Sequence, residues 1–361
     1  MYQIPNFAEQ TLPQTENLLK SLLFPALLFV SFLITRPLTE PFVGVGLPLW
    51  VCGILLLLAL FNSVIIIAMA ILAHDAVHRV LFRRLFWNEL IGGLLSALAL
   101  FPFYSNRQFH LTHHRSAHQP DRDPEQYMHD RHFLSALTYG SVLALLLQYR
   151  VLFGNLFQHL GERRYYARVV KDVALISCAG IFYFVLVPAA GVSLLCSVLP
   201  TIGVSLLVFG YRAISDHYGI PPVHHRASKT ERTLDADGED WHDGQRTVQD
   251  QVSGWVILTS PLLEWVWSHV NYHEVHHRFP WLSHAHLKPV FEATRRQVPY
   301  VVAEGYTANL FRLARFPYYS RSGNRSQEIL GSKNKAGLTS GLWQVEAERL
   351  RGRSAVWSRQ K

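Results

Sequence analysis

Apolar residues in this chain gather into long runs, and the longest, residues 50–72, holds no charged side chain. A helix rises about 1.5 Å per residue, so this run can cross a hydrocarbon core of about 30 Å. Another run, residues 21–35, becomes a plausible span when Leu18, Leu19 and the polar flanks are included. Two later runs, 173–187 and 192–209, are joined by Pro188, Ala189, Ala190 and Gly191, a composition that marks a tight turn. The pattern therefore predicts four crossings: 21–35, then about 47–73 after a turn at 40–48, then the later pair. Runs 90–103 and 133–147 are shorter, of the length typical of interfacial, re-entrant or buried helices, and are not counted as crossings.

Composition agrees with a bilayer setting. Of 361 residues, 49% are apolar and only 17% charged, where soluble domains average roughly 25%. An ordinary solvated or disordered chain is excluded. Residues 1–20 are polar, carry Glu9 and Glu16, and lack the basic start and small-residue cleavage site of a signal peptide, so this segment is expected to be retained. Lys and Arg concentrate between Arg79 and Lys171 and again after Arg212, while the loop between the first two spans has only Arg36 at its edge. By the positive-inside rule, both termini and the central loop are expected on the cytoplasmic face. The net charge of +8 follows from this asymmetry, and a nucleic-acid partner need not be invoked. Cys52, Cys178 and Cys196 all lie in apolar stretches and offer neither a disulfide framework nor a CxxC metal site.

Histidine is the unusual component, with 19 residues. His74 and His78 follow the second span at i and i+4, which sets both rings on one helix face. His110, His113 and His114 form an H-x-x-H-H segment, and His273, His276 and His277 repeat it. His217 stands at the exit of the fourth span. With four crossings, all these clusters lie on one side of the bilayer. Nine imidazoles are too many for one ion. A first-row metal takes about four to six ligands, so they suit two metals, and imidazole suits iron, zinc and copper. The other histidines, His118 and His284 among them, read as ordinary surface or hydrogen-bonded residues.

Two other metal patterns overlap the last cluster. His273, Glu274 and His277 satisfy H-E-x-x-H, in which two His bind zinc and the Glu acts as general base. A membrane zinc metalloprotease is thus a rival, although it leaves most of the clustered histidines idle. A ferritin-like carboxylate di-iron site would need two E-x-x-H segments and two further Glu, and no such set is visible. A metal transporter would place ionisable groups within the spans, which hold almost none.

The ordered set HDAVH (residues 74–78), HLTHH (110–114) and NYHEVHH (271–277) resembles the histidine boxes of the membrane fatty acid desaturase and hydroxylase superfamily. Smaller echoes are NELIG (88–92), DRDPE (121–125), SDHYG (215–219), Arg246 with Thr247, and Phe279 with Pro280. The SDHYG segment looks more like the acyl-lipid desaturase and alkane hydroxylase branches. Acyl-CoA desaturases carry an asparagine four residues before the lone histidine, where this chain has Ala213.

This resemblance implies an all-α integral membrane protein, with four transmembrane helices, interfacial helices and a cytoplasmic histidine-rich catalytic cap. It also implies a di-iron centre with His74, His78, His110, His113, His114, His217, His273, His276 and His277 as ligands, and no catalytic side chain beyond them. O2 is the implied co-substrate, and electrons come from an external ferredoxin or cytochrome-type donor, since no fused cytochrome domain or flavin fingerprint is visible. The implied activity is desaturation of a fatty acyl or similar lipid chain, with hydroxylation or ketolation on the same fold as the alternative. In a bacterium the membrane would be the inner one. Asp75, Asp121, Asp123, Asp216 and Glu274 lie close enough in sequence to the boxes to orient the imidazoles through their second nitrogen. The expected organisation is a cytoplasmic segment 1–20, a membrane domain 21–315, and a basic, mobile tail 316–361.

Overall fold

The computed structural model describes residues 12–119, 122–126, 132–158, 161–218, 220, 253–296, 298 and 300–314. Long apolar runs become helices because hydrocarbon offers no partner to a backbone N–H or C=O. The resulting helices are α1 (Gln14–Thr39), α2 (Leu49–Val77), α3 (Leu85–Leu98), α4 (Phe103–Ser116), α5 (Phe133–Gln158), α6 (Arg163–Ala189) and α7 (Leu194–His217). At 29 residues, α2 is about 43 Å long, well beyond a hydrocarbon core of about 30 Å. Its last turn can therefore stand clear of the lipid and carry His74.

The sequence pattern and the helices differ in one respect. Among the described residues five helices, α1, α2, α5, α6 and α7, are long and apolar enough to cross a membrane, where the pattern predicts four. The addition is α5. Its apolar run ends near residue 147, but the helix continues through a mixed polar and apolar stretch to Gln158, because helical hydrogen bonding does not stop where apolar composition does. Helices α3 and α4 meet at a 94° bend. Leu100 in this corner has φ 70°, and Ser96 Oγ donates to the Phe101 carbonyl at 2.8 Å.

Helix α2 lies at the centre, packed by α1, α3 and α7. Asn62, polar in the middle of an apolar run, donates to Thr201 Oγ1 of α7 at 3.2 Å, and Ser205 Oγ donates to Ser63 Oγ at 3.2 Å. These bonds satisfy polar groups that lipid could not. On the other flank α3 approaches so closely that a Cβ at Gly92 would lie 2.2 Å from Ala76 Cβ, between His74 and His78 in sequence. Gly92→Ala is expected to push the helices apart and destabilise the fold by about 1–3 kcal/mol, read as a lower unfolding midpoint in detergent.

A small cap follows the membrane helices. It comprises β1 (Val256–Leu258), α8 (Pro261–Val266), α9 (His273–Arg278), α10 (His284–Thr294), β2 (Val302–Glu304) and α11 (Tyr306–Leu313). The two strands pair in parallel, Val256 opposite Val302, so among the described residues the fold is helical apart from this short ladder. Val256, Tyr272, Val275, Phe279, Leu287 and Phe291 form a separate apolar cluster that seats α9.

Candidate metal centre

Four elements deliver the clustered histidines to one place. His74 sits in the last turn of α2, and His78 caps that helix. The chain then turns tightly around Asn88, whose Oδ1 accepts from the N–H groups of Leu81 and Phe82, both at 3.1 Å. His110, His113 and His114 share one side of α4, His217 ends α7, and His273, His276 and His277 come from α9. Of the nine, His74 is partly buried and the other eight are buried.

The imidazoles form two adjoining groups. His74, His78, His110, His114 and His276 each offer a ring nitrogen within 4.8 Å of the others, and so do His113, His217 and His277. His273 joins the second group, its Nε2 lying 2.8 Å from His217 Nε2 and 3.1 Å from His277 Nε2. The His114 and His277 rings stack at 4.3 Å and bring the groups side by side.

The donor chemistry fits metal ions. His113 Nδ1 donates to Asp123 Oδ1 at 2.8 Å, His110 Nδ1 to Glu125 Oε1 at 3.2 Å, and His217 Nδ1 to the Ser253 carbonyl at 3.0 Å. Carboxylates and carbonyls only accept, so each of these rings carries a proton on Nδ1, and in its neutral form each keeps a lone pair on Nε2. His113 Nε2 and His217 Nε2 are 3.2 Å apart, a separation that either a shared proton or a bound cation can bridge. Metal–imidazole bonds of about 2.0–2.1 Å put neighbouring donors about 3.0 Å apart in an octahedron and about 3.4 Å apart in a tetrahedron. The facing Nε2 pairs span that range: His110–His114 2.9 Å, His78–His110 3.0 Å, His114–His276 3.1 Å and His113–His277 3.4 Å.

Electrostatics favours the ligating form at most positions. Burial, and then the crowding of other imidazoles, holds His114, His273, His276 and His277 well below the ordinary histidine range. Burial also lowers His110, to about 4, against the pull of Glu125. His113 goes the other way: burial opposes its charge, but Asp123 and Glu125 outweigh it and raise the ring to about 9. Glu125 is lowered to about 2, since His113 and His110 overcome the cost of burying it. This pair of carboxylates thus concentrates negative potential on the second group, where a metal cation can replace the proton.

The outer carboxylates divide differently from their sequence positions. Asp123 holds His113 directly and also accepts from the backbone N–H groups of His118 and Glu125 at 2.7 and 2.8 Å. Asp121 lies outside the described residues, as do Arg246 and Thr247. Asp216 pairs with Arg212 Nη2 at 2.6 Å, not with an imidazole. Glu274 works through the chain: its Oε2 accepts from the Ser253 and Gly254 N–H groups, both at 2.7 Å, and from Ser253 Oγ at 3.1 Å. Its Oε1 takes the Arg278 guanidinium. The Ser253 carbonyl thereby fixed receives both His217 Nδ1 and His118 Nε2.

Three useful residues escape sequence reasoning. Glu125 stands in the acidic segment, but no period distinguishes it there. His118 is buried against Ser253; it stands four residues after His114, but Ala117 ends the helical run before it, so the spacing alone does not mark it. Glu264 accepts from Tyr272 Oη at 2.9 Å and Lys288 Nζ at 2.7 Å, and so anchors the start of α9.

A family model described as fatty acid desaturase matches residues 47–306. The chain belongs to the fatty acid desaturase family. This membership makes the protein an oxidoreductase enzyme of a family that uses paired iron, acting on lipid at the membrane. The match begins just ahead of α2 and ends on the first residue of α11, so it contains all nine clustered histidines of this desaturase-family chain. No curated protein matches closely enough to narrow the family to one substrate.

Proposed function

We propose that the protein is a di-iron desaturase of fatty acyl or similar lipid chains, its metals held by His74, His78, His110, His114 and His276 on one side and His113, His217, His273 and His277 on the other. The observation that carries this reading is the meeting of nine ring nitrogens from four distant elements in two adjoining groups. With O2 and electrons from another protein, paired iron supplies the hydrogen-abstracting chemistry that no side-chain acid or base can perform on an unactivated methylene. The chain's own part is positional. Asp123, Glu125 and the Ser253 carbonyl hold three imidazoles by Nδ1, and Glu274 holds Ser253.

Four crossings, α1, α2, α6 and α7, support a common cytoplasmic face. His217 ends α7 within reach of α4, and Arg36 near the far end of α1 donates to Ala190 in the α6–α7 turn at 3.4 Å. Were α5 a crossing too, α7 would end on the opposite side of the bilayer from α4. An interfacial α5 is supported by its bonds to the bend and to α4, Tyr149 Oη to the Leu100 carbonyl and Asn155 Nδ2 to Gln108 Oε1, both 3.0 Å. The excess of basic residues supports a cytoplasmic position for this face, where their charge would favour an acidic donor such as ferredoxin or a cytochrome-type protein.

Glu274 argues against the protease alternative, because both of its oxygens are engaged by Ser253, Gly254 and Arg278 rather than turned to a substrate water. The test is lipid and metabolite profiling of cells expressing the gene. A new carbon–carbon double bond is the expected product, and a new hydroxyl or keto group would replace desaturation with hydroxylase or ketolase activity.

A further inference from the structure

The acid inside the first histidine pair has a partner that no motif announces. Asp75 Oδ2 accepts from His284 Nδ1 at 2.6 Å, and its Oδ1 lies 3.7 Å from His74 Nδ1. The pair is closed off from solvent, with 5% of Asp75 and 1% of His284 exposed. A buried carboxylate is costly unless paired and hydrogen-bonded, so the contact is a strong constraint on both side chains. His284 opens α10, and its Nε2 meets no hydrogen-bond partner, which leaves Asp75 as the directional contact of the ring.

His74 is where such a constraint matters. His110, His113 and His217 are each fixed through Nδ1 by a carboxylate or carbonyl. Neither ring nitrogen of His74 has a hydrogen bond, and it is the most exposed member of its group, with 18% of its side chain accessible. Left alone, a partly exposed imidazole at a helix end samples several orientations. Asp75 is in range to hold it, but only if the carboxylate itself is held.

We propose that His284 is a positioning residue for the five-imidazole group: it fixes the Asp75 carboxylate beside His74, so that the His74 lone pair stays aimed at the other four. The role rests on the metal-site reading above. It also links the end of α2 to α10, and so brings the first histidine pair into register with the segment that follows α9.

The test uses the full-length protein, purified in detergent, stripped by chelator and titrated with Co(II), with visible absorption reporting imidazole-bound cobalt. Wild type is expected to take up two equivalents, one per group. If it takes up none, the metal-site reading fails before any variant is made. His284→Leu is expected to weaken one of the two equivalents by about 10–100-fold, the cost of losing an outer partner of a ligand, and to leave the other unchanged. His284→Asn keeps an N–H able to donate to Asp75 and is expected to restore both affinities. On a His74→Ala background, His284→Leu should cost the remaining equivalent nothing, which assigns the effect to the first group. A packing role predicts the reverse order, Leu tolerated and Asn not, or a lower melting point with both affinities unchanged. Either result overturns the proposal. Should His284→Leu fail to fold, Asp75→Asn decides: a selectively weakened equivalent supports the role, and two unchanged affinities overturn it.

Discussion

His113→Ala is expected to abolish product formation in whole cells and to empty the second imidazole group. His113 Nε2, like His273 Nε2, faces both His217 and His277, at 3.2 and 3.4 Å, and His113 also anchors Asp123 through Nδ1. Its removal deletes a donor and also leaves the fully buried Asp123 carboxylate without the imidazole that offsets its charge. The loss should exceed the roughly 10–100-fold that follows removal of an outer partner alone. Iron analysis of the purified variant checks this together with product profiling. Full iron content with undiminished product would remove His113 from the site.

Glu274→Gln separates two readings of the same glutamate. If Glu274 were a general base, the isosteric amide would leave fold and metal intact and silence only the chemistry. As a buried anchor it should do more damage. The amide cannot balance Arg278, itself only 2% exposed, and breaking one partner of a buried ion pair costs about 3–5 kcal/mol. It also offers a weaker acceptor to the Ser253 and Gly254 N–H groups, which loosens the carbonyl that orients His217. The expected outcome is a markedly lower unfolding midpoint together with iron loss concentrated in the second group. A stable, fully loaded but inactive variant would contradict the anchoring role.

How much of this was legible in the sequence follows from the range of each interaction. The boxes are readable because i, i+3 and i+4 spacing is a local property of a helix, and α4 and α9 present their histidines accordingly. The division of labour within a box is not. His273 and His277 face the second group while His276 crosses to the first, and only the packing of α9 between α2, α4 and α7 decides that. Asp216 shows a signal that was present but outweighed: Arg212 lies four residues before it on the same helix, the spacing of an intrahelical ion pair. Helix α5 outruns its apolar stretch because chain composition marks solvation rather than the end of a hydrogen-bond ladder. His118 and His284 lie outside the boxes, and their partners, Ser253 and Asp75, arrive from 135 and 209 residues away.

The short helix α9 closes both imidazole groups, and it lies near the end of the family-matched region. During synthesis, then, α1 to α7 are already translated while each cluster still lacks donors. On the proposed function, metal capture at these groups would come late in maturation. A chain truncated ahead of His273 would enter the bilayer and remain inert.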